Sequence, residues 1–207
     1  MLTLYFAPGG CSLAPHIALE EAGAEYEARK VDFAANEQRS AEYLAINPKG
    51  RVPALVTPRG ILTETPAILA YIAQSFPGAA LAPVADFYEF AEMQAFNAYL
   101  SSTLHVAHAH GVRGTRWADA PEAIDDMKRK MPEVVTSCFE MVEQKMLRGP
   151  WVMGKRYTVA DAYLFTVAQW IEKDQVDTSV IPRVLEHRER MKQRPAVAKV
   201  LAREAAA

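Results

Sequence analysis

The chain has 207 residues, half of them hydrophobic, and carries a formal net charge of −2. This length and composition are those of an ordinary globular protein with one large core or two smaller ones. A net charge so close to zero provides no long-range attraction for nucleic acid or for an anionic membrane surface. We therefore expect neither of them as a partner.

The cysteines and the uncharged stretches bear on the compartment. Cys11 and Cys138 stand far apart and form no disulfide framework, which is typical of proteins from a reducing environment. The first residues lack the basic start and the cleavage pattern of a secretory leader. The one long uncharged stretch, 65–85, contains three prolines, which disfavours a membrane helix. These features predict a cytoplasmic protein.

The first 78 residues alternate between strand and helix patterns. The patterns predict strands over 2–6, 26–33, 51–57 and 61–63 and helices over 12–22, 40–50 and 65–76. The last two strands are joined at Pro58-Arg59-Gly60, which predicts a hairpin. The order β-α-β-α-β-β-α indicates a small α/β domain over residues 1–78.

The rest of the chain is predicted to be helical. Residues 79–85 carry no pattern and are predicted to be a linker, and 86–207 to be an all-helical domain. Apolar residues at helical spacing predict one buried face, formed by Met93, Phe96, Leu100 and Leu104. A helix over 121–148 contains Pro132, where we expect a bend. Two further helices are predicted near 177–193 and 196–204.

A helix over 157–171 begins with a capping signal. Thr158 and Asp161 have the spacing of a capping box, in which each side chain satisfies a free backbone N–H of the other residue. Its predicted buried stripe consists of Ala160, Leu164, Val167, Ala168 and Ile171. An α/β domain followed by a helical domain also predicts a cleft between the two, and such clefts are favoured ligand sites.

Cys11 lies between a glycine-rich turn and the first helix. The N-terminus of a helix carries partial positive charge, which can lower the pKa of a thiol and favour the nucleophilic thiolate. The alternative is a small buried cysteine without chemistry. Ala14 stands where a C-x-x-C pair needs its second cysteine, so only monothiol chemistry with an external thiol remains.

Two further segments have the residue types of a peptide-binding site. Pro53 begins a strand, and a cis Val52–Pro53 bond would expose the backbone of Val52 to an extended ligand, whereas a trans bond is the common alternative. Glu64 and Thr65 begin a helix. Thr65 is either a simple N-cap, or the two residues bind the ammonium and carboxylate of an amino-acid head group.

The histidines predict no metal site. His105 and His108 lie one helical turn apart, but His110 points elsewhere and no acidic residue is near in sequence, whereas zinc needs three or four convergent ligands. His16 lies five residues after Cys11, so on a helix it points away from the thiol and is predicted to be structural.

These segments together resemble a known family. The blocks "GCSLAPHIALEEAG", "YLAINPKGRVPALV", "LTETPAILAYIA" and "GKRYTVADAYLFTVAQW" resemble the glutathione S-transferases, and among them the bacterial beta class, over essentially the whole chain. The resemblance implies a thioredoxin-like N-terminal domain, an all-α C-terminal domain and a homodimer. It implies transfer of the glutathione thiolate to a small hydrophobic electrophile, with glutathione as co-substrate and no metal.

The resemblance also leaves activities open. Thiol–disulfide exchange or peroxidase activity through Cys11 is a second possibility within the enzyme class. A non-catalytic interaction or regulatory protein on the same scaffold is the alternative, because fold does not determine function.

The resemblance assigns roles to particular residues. It implies that the glutathione sulfur lies near Cys11 and His105, the cysteinyl backbone beside Val52 and Pro53, and the γ-glutamyl head at Glu64 and Thr65. Tyr5 and Ser12 match thiol-activating hydroxyls of other classes and are second choices behind Cys11. The candidates for the electrophile pocket are Tyr99, His105, His108, Val112 and Trp117.

Three positions depart from the beta-class pattern. Val106 stands where a lysine is usual, Ala98 where an asparagine is usual, and Asn36 where a lysine is common. At 100° per residue, Ala98 and His105 are predicted to share a helix face. A cationic contact to the glycyl carboxylate of glutathione is then missing, and Arg51 or Lys49 are the candidate substitutes.

Overall fold

The computed structural model describes all residues from 1 to 207, and its first part contains one four-stranded sheet. The strands are β1 (Leu2–Phe6), β2 (Tyr26–Lys30), β3 (Ala54–Thr57) and β4 (Gly60–Thr63), in the order β2-β1-β3-β4. β1 is parallel to β2 and antiparallel to β3, and β3 and β4 form the predicted hairpin. β2 ends three residues earlier than predicted. β3 begins only after Pro53, which has no N–H to donate to a sheet.

Three helices accompany the sheet, namely α1 (Leu13–Glu21), α2 (Ala41–Ile46) and α3 (Thr65–Ser75). The sheet with its helices is thioredoxin-like, and everything after it is helical, which confirms the predicted fold class. The connection between the two parts is held in place at Leu81. This residue is buried, and its carbonyl accepts a hydrogen bond from the N–H of Val159 at 2.9 Å.

The second part consists of six helices and two π-helical segments. The helices are α4 (Phe87–Tyr99), α5 (His105–Val112), α6 (Pro121–Met141), α7 (Val159–Ala168), α8 (Pro182–Lys192) and α9 (Pro195–Ala205). A π-helical segment, Leu100–Leu104, joins α4 to α5, and a second one, Val142–Met146, extends α6. α6 runs through Pro132 without ending there. The four apolar residues predicted for one face of the long helix are all buried.

Helix α1 connects the two parts. Seven consecutive residues, from Leu13 to Leu19, are buried, so the helix has no solvent-facing side along most of its length. α1 packs against α3 on one side and against α7 and α9 on the other. Leu13 and Ile17 share an apolar cluster with Ala162 and Phe165 of α7. The sheet and the helical part are therefore joined through a continuous core.

The start of α7 is a buried polar node. The Asp161 carboxylate accepts hydrogen bonds from the N–H groups of Thr158 and Val152, each at 2.7 Å. Nε2 of His187 lies 3.0 Å from the same carboxylate. Thr158, Asp161 and His187 are all buried. The predicted contact between Asp161 and the N–H of the capping residue is thus confirmed, and Asp161 also ties α7 to α8 and to the loop before it.

Replacing Asp161 tests the importance of this node. We expect Asp161→Ala to lower the free energy of unfolding by about 3–5 kcal/mol, because two buried N–H groups and His187 lose their acceptor. Asp125→Ala is the control, since that side chain is 75% exposed and its ion pair with Lys128 is a surface one. Urea unfolding followed by circular dichroism provides the comparison. Equal unfolding midpoints for the two variants would contradict this role.

Candidate functional site

A cavity of about 690 Å³ lies between the sheet part and the helical part. One wall is formed by the loop 8–11, the segment 50–53 and the start of α3. The other wall is formed by α5, the turn that follows it, and residues of and after α7. Two parts of the chain that are far apart in sequence thus supply one site.

Cys11 lies in this cavity and is half-buried. Its Sγ donates a hydrogen bond to the Val52 carbonyl at 3.3 Å. Burial raises the pKa of the Cys11 thiol, and this effect outweighs the lowering by the Thr65 hydroxyl and by the charge of Arg113. Of the two interpretations of Cys11 from the sequence, the lowered pKa is the one that the structure disfavours, because the cost of removing the thiolate from water is larger than the local attraction.

The two second-choice hydroxyls do not reach the cavity. Ser12 is fully buried, and its hydroxyl accepts from the Ala7 N–H at 3.1 Å and donates to the Ala7 carbonyl at 3.2 Å. The Tyr5 hydroxyl accepts from the Arg29 guanidinium at 3.4 Å. Ser12 thus fixes the turn that carries Cys11, and Tyr5 belongs to the sheet surface.

The Val52–Pro53 peptide bond is cis, as the ligand-binding interpretation of this segment expected. Both residues line the cavity, and the Val52 N–H donates no hydrogen bond within the protein. The preceding residue is held by its carbonyl: the Arg51 C=O accepts from the Asn47 amide at 2.6 Å and from the Tyr43 hydroxyl at 2.7 Å. The backbone at 51–53 is thereby held at the edge of the cavity.

Glu64 and Thr65 also line the cavity, at the start of α3. Glu64 is the N-capping residue and has φ of +72°, so the simple N-cap at Thr65, one of the two interpretations of this segment, is wrong by one residue. A positive φ at a residue other than glycine costs about 1–3 kcal/mol and is found preferentially at functional sites. The Glu64 carboxylate is paired with Lys49, whose Nζ also donates to the Thr63 hydroxyl at 2.7 Å. Thr65 is buried.

His105 enters the cavity from the helical wall. Burial, followed by the nearby His108 and the positive charge of Arg113, lowers the pKa of His105 to about 4. Its imidazole is therefore neutral near pH 7. In that form, one ring nitrogen donates a hydrogen bond and the other accepts one.

A series of side-chain contacts that we did not predict supports this wall. The Trp170 Nε1–H donates to the Gly9 carbonyl at 3.0 Å, across the cavity, and the Trp170 ring stacks on His108 with centroids 4.3 Å apart. Nδ1 of His108 lies 2.7 Å from Asp174 Oδ2. Tyr163, also absent from our predictions, is buried at the cavity wall, and burial raises its pKa.

The sequence contained one signal for these aromatic residues. Buried Trp and Tyr side chains need a partner for their polar atom. Both lie on the segment 157–171, where we predicted only a core stripe.

Four of the five residues expected at the electrophile pocket line the cavity, and the pocket itself stays a prediction. His105, His108, Val112 and Trp117 line the cavity, whereas Tyr99 does not. The Tyr99 hydroxyl donates to the Cys138 carbonyl at 3.2 Å, so this side chain packs between α4 and α6. Cys138 is buried, as its position in the middle of a helix predicted.

The π-helical segment changes the geometry around Ala98 and Val106, two of the positions that depart from the beta-class pattern. A π turn holds more residues than an α turn, so a count of 100° per residue fails between Ala98 and His105. Ser101 and Val106 line the cavity, and Ala98 does not. The hydroxyls of Ser101 and Ser102 donate to the Ala98 carbonyl at 3.0 and 2.8 Å.

No group of three or more His, Cys, Asp or Glu side chains is arranged to hold a metal ion. No helix combines the length and the apolar character needed to cross a membrane. His16, predicted to be structural, is buried, with Nδ1 2.8 Å from Glu204 of α9, and it does not line the cavity.

Comparison with known proteins identifies relatives along the whole chain. Residues 1–74 match the family model of the glutathione S-transferase N-terminal domain, and 113–204 match that of the C-terminal domain. The glutathione S-transferase GstA of Escherichia coli O157:H7 is 32% identical over 206 residues, which are 98% of each chain.

Two solved structures extend this comparison. A glutathione transferase homologue from Sulfitobacter with bound glutathione superposes with a TM-score of 0.94 at 47% identity over 98% of each chain. A beta-class glutathione S-transferase from Sphingomonas chungbukensis has a TM-score of 0.85 at 35% identity, covering 99% of this chain and 100% of the other.

The reactivity of Cys11 tests its electrostatic environment. In a Cys138→Ser background, we expect alkylation of Cys11 by iodoacetamide to follow a titration with a midpoint above the ordinary thiol pKa of 9.0, because burial disfavours the reactive thiolate. Arg113→Gln is expected to raise that midpoint further, since it removes a neighbouring positive charge. Arg156→Gln, an exposed residue outside the cavity, is the control. A midpoint below the ordinary value would contradict the burial argument.

Proposed function

The chain belongs to the glutathione S-transferase family and is a glutathione transferase. We therefore propose that glutathione lies extended along the sheet-side wall of the cavity. The observation that carries the proposal is the contact between Cys11 Sγ and the Val52 carbonyl. It brings the thiol next to the backbone that we propose pairs with the cysteinyl residue of glutathione. The free N–H of Val52 is the complementary donor.

The γ-glutamyl head group is proposed to bind at the start of α3. The N–H groups of the first helical turn and the Thr65 hydroxyl suit its carboxylate. The Glu64 carboxylate suits its ammonium group, and the ion pair with Lys49 orients that carboxylate. The positive φ of Glu64 supports the view that its conformation serves binding.

The glycyl carboxylate at the other end of glutathione is proposed to bind Arg51. This side chain lines the cavity, and no carboxylate of the protein pairs with it. Lys49, the other candidate, already pairs with Glu64. Arg39 packs beside Gly50, where an added Cβ would lie 3.0 Å from the Arg39 guanidinium, so a second cation is close to this end. We propose that these arginines supply the positive charge that is absent at position 36, where Asn36 stands in place of the common lysine.

In the proposed reaction, the glutathione thiolate attacks an electrophilic carbon. A carbon–sulfur bond forms, the leaving group departs with its electron pair, and the thiol proton passes to solvent. Cys11 and the neutral His105 border the sulfur, and an imidazole N–H can donate to the thiolate. The protein contributes the alignment of the two substrates and positive charge that favours the thiolate.

Disulfide exchange through Cys11 is the second proposed activity. The Cys11 thiolate attacks a glutathione mixed disulfide, forms Cys11–S–S–glutathione and releases the substrate thiol. The thiolate of a second glutathione then attacks the glutathione sulfur of this disulfide, which forms glutathione disulfide and regenerates the Cys11 thiolate. The raised pKa of Cys11 disfavours its thiolate, so we propose disulfide exchange and the reduction of peroxides as secondary activities. Conjugation is the main activity, because in that reaction glutathione brings its own thiol.

The class, domains, assembly and location are proposed as follows. We assign the chain to the beta class, with a glutathione-binding domain over 1–78, a linker over 79–85 and a helical domain over 86–207. Two chains are proposed to form a homodimer, and the exposed rings of Phe87 and Tyr88, at 87% and 74%, support a covered surface there. Two unpaired cysteines support a cytoplasmic location.

Calorimetric titration with glutathione tests the binding mode. We expect saturable binding by the reduced wild-type protein and an affinity about fivefold to tenfold lower for Glu64→Gln, because a charge-assisted bond to the ammonium group is lost at an exposed site. Glu25→Gln, an exposed acid outside the cavity, is the control. Absence of binding, or equal affinity in all three proteins, would contradict the assignment.

The Cys11→Ala variant separates the two proposed activities. We expect it to abolish glutathione-dependent reduction of a mixed disulfide, whereas conjugation persists at a reduced rate, because glutathione supplies the nucleophile in conjugation only. Cys138→Ser, which removes a buried thiol that does not line the cavity, is the control for both assays. Loss of both activities to the same extent would show that Cys11 is required for conjugation itself.

A further inference from the structure

The charge of the cavity is strongly one-sided. Five positively charged side chains line it, and Glu64 is the one carboxylate among the lining residues. The positive residues are Arg39, Arg51, Arg113, Arg116 and Lys173. In a chain with a net charge of −2, this local excess of positive charge is a property of the site rather than of the whole surface.

The arginines of this group lie near one another and have no partner. None of the four forms an ion pair or a side-chain hydrogen bond within the protein, whereas most other arginines do. Partial burial, followed by the charges of Arg113, Arg51 and Arg39, lowers the pKa of Arg116. Like charges held together repel one another, and an anion bound among them removes that repulsion.

Glutathione accounts for only part of this charge. Its two carboxylates are assigned above to the start of α3 and to Arg51 with Arg39, all on the sheet-side wall. Arg113 and Arg116 belong to the opposite wall, on the turn after α5. This turn has a fixed position, because Gly114 packs so closely on α6 that an added Cβ would lie 3.1 Å from Ile124.

The surroundings of these two arginines are those of an electrophile pocket. Val106, Val112 and Trp117 supply apolar surface along the same wall. The Trp117 ring packs on His110 with centroids 4.3 Å apart, which limits its motion. The wall therefore combines an apolar surface with two unpaired guanidinium groups, which bind carboxylates and other oxyanions through paired N–H donors.

Resting on the proposed function, we propose that the electrophile is an acid, with an apolar body and a carboxylate or sulfonate group bound by Arg113 and Arg116. The apolar body packs on Val106, Val112 and Trp117, and the anion sets the direction from which the reactive carbon meets the glutathione sulfur. Conjugation then forms the carbon–sulfur bond, expels the leaving group with its electron pair and passes the thiol proton to solvent.

A matched pair of substrates tests the inference. We compare a chlorodinitrobenzoate with the corresponding chlorodinitrobenzamide, which has the same reactive carbon and nearly the same shape without the negative charge. The value of kcat/KM for each is measured at saturating glutathione and divided by the uncatalysed rate constant with glutathione. We expect wild-type protein to favour the acid over the amide by about tenfold, and this preference to fall as salt is added.

Variants locate the effect. The double variant Arg113→Gln/Arg116→Gln is expected to remove most of the acid-to-amide preference, and Arg113→Lys/Arg116→Lys to restore part of it, because lysine keeps the charge without the paired donors. Arg156→Gln, which removes one positive charge outside the cavity, is expected to leave the preference unchanged.

The outcomes separate a failure of this inference from a failure of the proposed function. Turnover of both substrates without preference for the acid, or an equal preference in the wild type and the double variant, would overturn the inference and leave the transferase function intact. A rise in KM for glutathione in the double variant, with the preference unchanged, would assign these arginines to glutathione and also overturn it. Absence of turnover for both substrates would overturn the proposed function together with the inference.

Discussion

The burial of helix α1 on all sides is the constraint on which the rest of the structure depends. A helix with only one apolar stripe could pack on the sheet alone, but α1 buries every residue from Leu13 to Leu19 between α3, α7 and α9. It therefore packs on both halves of the chain. One cavity wall includes the start of α3 and the other includes residues of and after α7, and α1 packs against both of these helices.

The polar contacts of the site follow from that arrangement. Cys11 lies just before α1, and Ser12 uses its hydroxyl to close the turn on Ala7 instead of acting on a thiol. The Trp170–Gly9 hydrogen bond joins the helical wall to the same turn. The turn that presents the thiol is thus held from the sheet side by a serine and from the helical side by a tryptophan.

The electrostatics of the site support the proposed order of the two activities. Burial raises the pKa of the Cys11 thiol and lowers that of His105, so neither group is charged near pH 7. The cationic side chains line the same cavity. A site with a neutral thiol, a neutral imidazole and an excess of positive charge suits an anionic nucleophile brought in by a substrate. This is the physical reason for placing conjugation before chemistry at Cys11 itself.

Local patterns predicted much of the fold and part of the site. The alternation of strands and helices, the capping contact of Asp161 and the buried face from Met93 to Leu104 follow from periodicity and short-range hydrogen bonding, so the sequence reveals them. A count of 100° per residue failed between Ala98 and His105, because a π-helical segment lies between them and a fixed angle cannot register it. Tyr99 lies outside the cavity because it packs against α6, a tertiary contact that no local pattern shows. The sequence left the pKa of Cys11 open because desolvation depends on tertiary burial. The roles of Trp170 and Tyr163 were hidden within an apolar stripe.

The central claim is that glutathione spans the sheet-side wall from Glu64 and Thr65 past Val52 to the thiol of Cys11. Titration of the isotope-labelled protein with glutathione, followed by amide NMR, tests it most directly. We expect saturable shifts of the Val52 and Thr65 amides with one common affinity, and small shifts for residues remote from the cavity. Shifts confined to the helical wall, or saturation at these two amides with different affinities, would contradict it.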